Sequence, residues 1–262
     1  MALSPQEHTD LAAAKLLLET PSLTAKISSL IGTPVESGLK KLPEKLQTAI
    51  GTATDKAVAK ALDVALLTIQ QRQQEALPSN HWHKLAAGLS GAAGGAFGLP
   101  ALAVELPIST TIILRSIADI ARSQGENLDQ TETRLHCVQV LALGGKSRHD
   151  NLTETGYFAT RAALARAVSE AARHVTHRGL SQQGAPALVK LITQVASRFS
   201  IVVSEKVAAQ AVPVVGALGG AAINTLFMHH YQAMGRGHFT VRRLERLHGQ
   251  EEIRRIYDVL PS

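Results

Sequence analysis

Apolar residues recur along most of this chain at steps of three and four. Val58, Leu62, Ala65 and Ile69 form one such run, and on a helix they share a face. Polar start signals precede several runs. Ser4, Pro5 and Glu7 supply a capping hydroxyl, a proline at the first helical position and the acid that completes a capping box. Thr33, Pro34 and Glu36 repeat that chemistry, and Asp129 with Glu132 and Asn151 with Glu154 offer the same spacing. No convincing strand alternation and no Asn-Gly hairpin turn occur. The pattern predicts helices over 5–19, 23–31, 34–50, 54–76, 80–97, 101–124, 130–143, 152–177, 184–204, 207–234, 240–248 and 250–259. The fold class is all-α: a multi-helix bundle with a central pair of glycine-rich apolar helices. The first ~75 residues are Lys-rich and amphipathic; the N-terminal helices over 1–54 either pack on the remainder, a helical domain over 55–262, or lie on a surface.

Two stretches depart from the amphipathic pattern. Residues 85–104 carry no charge, nor do residues 207–235 with neutral histidines. Both are punctuated by glycine. Gly91 and Gly95 are four apart, as are Gly94 and Gly98, and Gly216 and Gly220. On a helix that spacing makes a shallow groove which admits a neighbouring backbone. The two segments are therefore expected to pack on each other, with Gly91, Gly95, Gly98, Gly216 and Gly220 at the contact. Neither is a phosphate loop, because no Lys-Ser/Thr follows the glycines, and neither matches a dinucleotide fingerprint. A buried hairpin is the favoured reading over membrane insertion, with reversible insertion of the pair as the alternative. Gly and Ala insert weakly, Glu105 interrupts the first, and Gln210, Asn224, His229 and His230 interrupt the second.

Polar residues inside these apolar runs are the candidate site. Glu105, Ser109, Ser116, Asp119 and Ser123 would share one side of a helix. Pro107 removes a backbone donor, so a kink or restart is expected there, with Glu105 beside free N–H groups. Gly216, Gly220 and Asn224 step by four, which makes Asn224 a candidate to reach Glu105. The alternatives are satisfied polar groups that fix helix register and an interhelical pocket.

Composition narrows the function. Of 262 residues 45% are hydrophobic and only 3% aromatic, so small aliphatic residues must fill the interior. The net charge of +6 suits an anionic surface. With so few aromatics for base stacking and no helix-turn-helix, zinc-finger or RNA-recognition signature, no nucleic-acid partner is expected. Cys137 is the sole cysteine, which excludes an internal disulfide and suits a reducing cytoplasm. The N-terminus lacks the basic start of a secretory signal.

The segments GLPALAVELPISTTIILRSIADIARSQGEN and KVAAQAVPVVGALGGAAINTLF, with YFATRAALARA between them, resemble the EcsC protein family over roughly residues 55–260. The resemblance implies a helical domain of unsettled biochemical role, and the family name carries an association with an ABC transporter. The family's acid-x-Pro element corresponds to Glu105 and Pro107, with Glu where Asp is expected. Its helix arginine corresponds to Arg115, and its Pro-Val-Val-Gly-Ala…Asn element to Pro213, Gly216 and Asn224. Glu105, Ser109, Arg115 and Asn224 thus make up the candidate polar pocket. No catalytic assignment carries over and no cofactor is implied.

Other chemistry is weaker. Glu170, His174 and His177 share a helix face with metal-ligand types, without the His-Glu-x-x-His order. His81 and His83 flank Trp82, and His229 and His230 close the second apolar segment. Arg242, Arg243, Arg246, Arg254 and Arg255 are interleaved with acids, which favours intramolecular pairing over lipid contact. The expected role is a non-enzymatic accessory or interaction protein, cytoplasmic and peripheral at the inner membrane. Its partner would be an anionic membrane surface or a membrane transporter complex. A hydrolase with its pocket around Glu105 is the alternative enzyme class, and a helical oligomerisation module the third.

Overall fold

The computed structural model describes residues 3–19, 23–31, 39, 42–67, 98–144, 156–178, 185–210 and 220–261. Among them are nine α-helices and no strand: α1 (Pro5–Glu19), α2 (Leu23–Ile31), α3 (Glu44–Leu67), α4 (Gly98–Ser123), α5 (Thr131–Leu143), α6 (Gly156–Arg178), α7 (Pro186–Gln210), α8 (Gly220–His248) and α9 (Gln250–Val259). At the centre lies α5, buried continuously from Thr133 to Ala142. It packs against α3, α4, α6, α7 and α8. A helix packed against five others has little room for a solvent face, so this segment shows only a weak amphipathic period.

The ends of the helices follow their local chemistry. Ser4 Oγ accepts from the Glu7 amide at 3.3 Å while Glu7 Oε2 accepts from the Ser4 amide at 2.8 Å, the reciprocal pair expected of that motif. The N-terminus of α5 differs from expectation. Gln130 is its N-cap with no side-chain bond, and Asn127 Oδ1 takes the Asp129 amide at 2.9 Å. The Asx turn shapes the chain ahead of the helix but takes the Asp129 amide, not an amide of the helix itself, so the cap expected from Asp129 is not formed. At the end of α4 the Glu126 amide reaches Ala121 O and the Gly125 amide reaches Arg122 O. Gly125 sits at φ 77°, so this is a Schellman end that needs glycine's left-handed freedom. The C-terminus of α5 is closed from outside, by Arg198 Nε on Ala142 O at 3.3 Å and His230 Nε2 on Gly144 O at 3.2 Å.

Three expected breaks are absent. Gly51 lies inside α3, which runs unbroken where 34–50 and 54–76 were separated, so the division expected at residue 54 falls within a helix. The chain stays helical to Gln210 through the expected gap at 205–206. Gly235 and Gly237 do not end α8. They are contact points: a Cβ on Gly237 would lie 2.7 Å from Leu18 Cγ and 3.1 Å from Ala14 O. Glycine there lets α1 lie close on α8, and that closeness offsets its usual cost in a helix of about 1 kcal/mol. The two glycines face different helices, Gly237 toward α1 and Gly235 toward Ile117 and Ile120 of α4, so they do not form the four-spaced groove expected from the sequence.

The N-terminal helices belong to this packing. Leu11, Ala14 and Leu18 of α1 are buried where α1 meets α8. Lys15 is buried too, donating to Tyr257 O at 2.9 Å and Leu260 O at 2.7 Å. A cation on the last carbonyls of α9 completes that helix end. Two groups of rings form among the described residues of this aromatic-poor chain. Phe199, Phe227 and Tyr231 lie 5.3–6.0 Å apart by centroid. Tyr157, Phe158 and Tyr257 form the second, at 4.9–6.0 Å.

Among the described residues, one helix, α7, has the length and apolarity to cross a membrane. Its inward stripe lies in the core, with 39% of its most apolar stretch buried. Leu191, Val195, Phe199, Val202 and Val203 are buried against α2, α3, α5, α6 and α8.

Candidate functional site

Glu105 sits in the second turn of α4 and is turned inward with Leu102, Leu106 and Ser109. Its carboxylate accepts from Lys206 Nζ of α7 in a direct ion pair. Lys206 is fully buried and lies over the Phe227 ring of α8, 4.9 Å from its centroid. Burial pushes the Lys206 amine below its usual range, against the upward pull of Glu105. One contact therefore joins three helices. It places the start of α4, the end of α7 and the start of α8 at the same level.

The expected surroundings of Glu105 need correction. No restart occurs at Pro107; α4 continues through it. Ala103, whose carbonyl loses its helical donor to the proline, is exposed, so water can take up the carbonyl. Glu105 is held by a lysine side chain, not by free backbone amides. Asn224 does not reach it: both amide atoms of Asn224 are buried without a hydrogen bond. Ser109 Oγ donates to Leu106 O at 3.1 Å, and Arg115 is half-buried. Gly98 and Gly220 open α4 and α8. Gly91, Gly95, Gly216, Pro213, the Trp82 cluster and the caps at Thr33 and Asn151 lie outside the described residues.

Glu170 Oε1 accepts from Arg166 at 2.6 Å and Oε2 from Lys190 at 3.1 Å. His177 is exposed. No group of three metal-ligating side chains exists among the described residues. The C-terminal arginines are paired within the chain: Arg242 and Arg246 with Glu126, Arg243 with Asp10, Arg255 with Glu252 and Arg254 with Asp258.

A second polar group was not flagged by the sequence. It lies beneath a cleft of about 400 Å³ among α5, α6, α8 and α9, lined in part by His136, Gln139, Phe158, Arg161, Arg242 and Glu245. Arg161 forks onto Glu245 with both bonds at 2.7 Å, the geometry that guanidinium and carboxylate match best. Arg161 also touches Tyr157 Oη at 3.4 Å, and that hydroxyl meets His238 Nδ1 at 3.0 Å. Arg242 and Arg246 hold Glu126, whose carboxyl is raised by burial but lowered further by those arginines, ending below the usual range. Burial first, then the charge of Arg242, holds the His136 ring down at about 4. His238, wholly buried near Arg161, is lowered well below the ordinary value.

Both sites had a periodic signal. Phe199, Val202, Val203 and Lys206 step along the buried stripe of α7, so a lysine stands where an apolar residue belongs. Glu132, His136 and Gln139 on α5, and His238, Arg242 and Glu245 on α8, each step i, i+4, i+7. Such polar stripes within otherwise buried helices announce a shared network.

These features define an all-α bundle whose interior acid is neutralised by an interior lysine, with a separate polar cleft on its flank. The chain belongs to the EcsC protein family, whose pattern matches residues 10–244. The match begins far ahead of residue 55, where the sequence resemblance was expected to start, and takes in α1, which packs on α8. No curated protein and no solved structure matches this chain.

Proposed function

We propose that this protein is a non-enzymatic accessory or interaction protein that works against an anionic membrane surface or a membrane transporter complex. The carrying observation is an apolar strip at one end of the bundle. Val104 is 65% and Ile108 38% exposed, one turn apart on α4 and flanking the inward Glu105. Val104 is the last residue of the uncharged stretch 85–104, and Ile108 follows one turn later. The ion pair ties that end of α4 to the end of α7 and the start of α8, between which the second uncharged stretch runs. Exposed aliphatics beside charge-free sequence, in a chain of net charge +6, suit a lipid or membrane-protein surface. The hydrolase reading requires Glu105 beside a nucleophile; an acid spent on a buried lysine lacks that role.

Flotation with vesicles tests the proposal. The protein is expected to rise with vesicles rich in phosphatidylglycerol and to rise less with purely zwitterionic ones. Retention in the dense fraction with both, together with no membrane protein recovered in a pull-down, would overturn it.

A further inference from the structure

We infer that the cleft among α5, α6, α8 and α9 binds a small organic ammonium ion carried on an apolar or aromatic body. The argument begins with hydrogen positions. Gln139 Nε2 donates to Arg161 O at 3.4 Å, which turns Gln139 Oε1 toward His136 Nδ1 at 2.8 Å. An amide oxygen only accepts, so Nδ1 carries the proton and Nε2 is left with a bare lone pair. That nitrogen faces Glu132 Oε1 across 3.9 Å. Two acceptors at this separation do not bond each other. A donor lying about 2.9 Å from each would bridge them, as an N–H-bearing cation can.

The charge balance of the cleft selects the sign of the ligand. Arg161 is spent on Glu245, Arg242 on Glu126, and Arg254 is shared with Asp258. Glu132 has only the neutral His136 beside it, and Glu251 makes no ion pair among the described residues. Arg242 and Arg246 share the one carboxylate of Glu126, so one arginine charge offsets one of these two acids and the mouth keeps a single net negative charge. This is an acidic opening on a basic protein. The wall is apolar, formed by Phe158, Ala162 and Ala165. Phe158 already receives the Arg254 guanidinium 5.7 Å from its ring centroid, so the ring is placed to meet a cation. This inference is independent of the membrane reading.

Calorimetric titration with 2-phenylethylamine, and with 2-phenylethanol as its neutral counterpart, tests it. The amine is expected to bind at least about tenfold more tightly than the alcohol, as a charge-selective site requires. Glu132→Gln is expected to remove that preference while leaving the melting temperature unchanged, since the Glu132 side chain is 57% exposed. Ala162→Trp, which fills the cleft from an exposed position, is expected to abolish binding of the amine. Equal binding of amine and alcohol, no binding at millimolar amine, or an unaltered preference in Glu132→Gln would each overturn the inference. Flotation of the same variants leaves the two proposals separable, because neither substitution touches Val104 or Ile108.

Discussion

Two buried ion pairs in this protein do different work. Glu105 and Lys206 stand alone among apolar side chains, beside the Phe199–Phe227–Tyr231 group. Arg161 and Glu245 form one link in a chain of polar partners, beside the Tyr157–Phe158–Tyr257 group and a cleft. A lone buried pair has a single relief for each charge. Removing one partner strands the other, while replacing both with aliphatics can be neutral. A networked pair at a cleft can shed a partner and redistribute, and it keeps polar groups in contact with ligand. The first arrangement fixes how helices meet, and the second supports recognition.

Substitutions can break this contrast, and the largest effect is expected at the lone pair. Lys206→Met should cost about 3–5 kcal/mol in urea unfolding. Adding Glu105→Leu to it should restore most of that stability; a double variant as unstable as the single one would show that the pair does more than neutralise itself.

Acidification comes next. His136 and His230 are both held at about 4, His136 by burial and Arg242, His230 by burial and Lys26. The unfolded chain, with ordinary histidines, binds more protons below about pH 6.5. The stability they confer is complete above that value and is lost as the pH falls toward 4, by about 2 kcal/mol per histidine between pH 7 and pH 5. Unfolding curves across that range check it. His136→Phe should flatten the slope, and an unchanged slope would place the proton uptake elsewhere.

Gly237→Val should cost about 2 kcal/mol, since its side chain would enter the contact with Leu18 and Ala14. Hydrogen exchange should quicken in α1 while α5 stays protected. The smallest effect is expected from Glu245→Gln, about 1 kcal/mol, because the amide oxygen still accepts one bond from Arg161. A loss there as large as at Lys206 would erase the distinction between the two pairs.

The sequence disclosed most of the fold, because amphipathic period, Ser4–Glu7 and the Gly125 and Gly249 stops are local signals. It misjudged Gly51, Gly235 and Gly237, whose helical state depends on partners distant in sequence. Glu105 was legible as an interior acid. Its lysine is hard to read from sequence, because Lys206 borders the uncharged stretch 207–235 while also completing the buried stripe beginning at Phe199. The cleft was missed for a similar reason. Its residues come from four helices, and each polar stripe gains meaning only when the others are beside it.

The apolar end and the polar flank make opposite forecasts for membrane contact. Flotation of Val104→Asp/Ile108→Asp, beside Arg254→Glu/Arg255→Glu on the flank, measures this directly. The account predicts that wild type and the flank variant rise with anionic vesicles while the α4 variant stays in the dense fraction with an unaltered melting temperature. An α4 variant that still rises, or a flank variant that alone fails to, would contradict it.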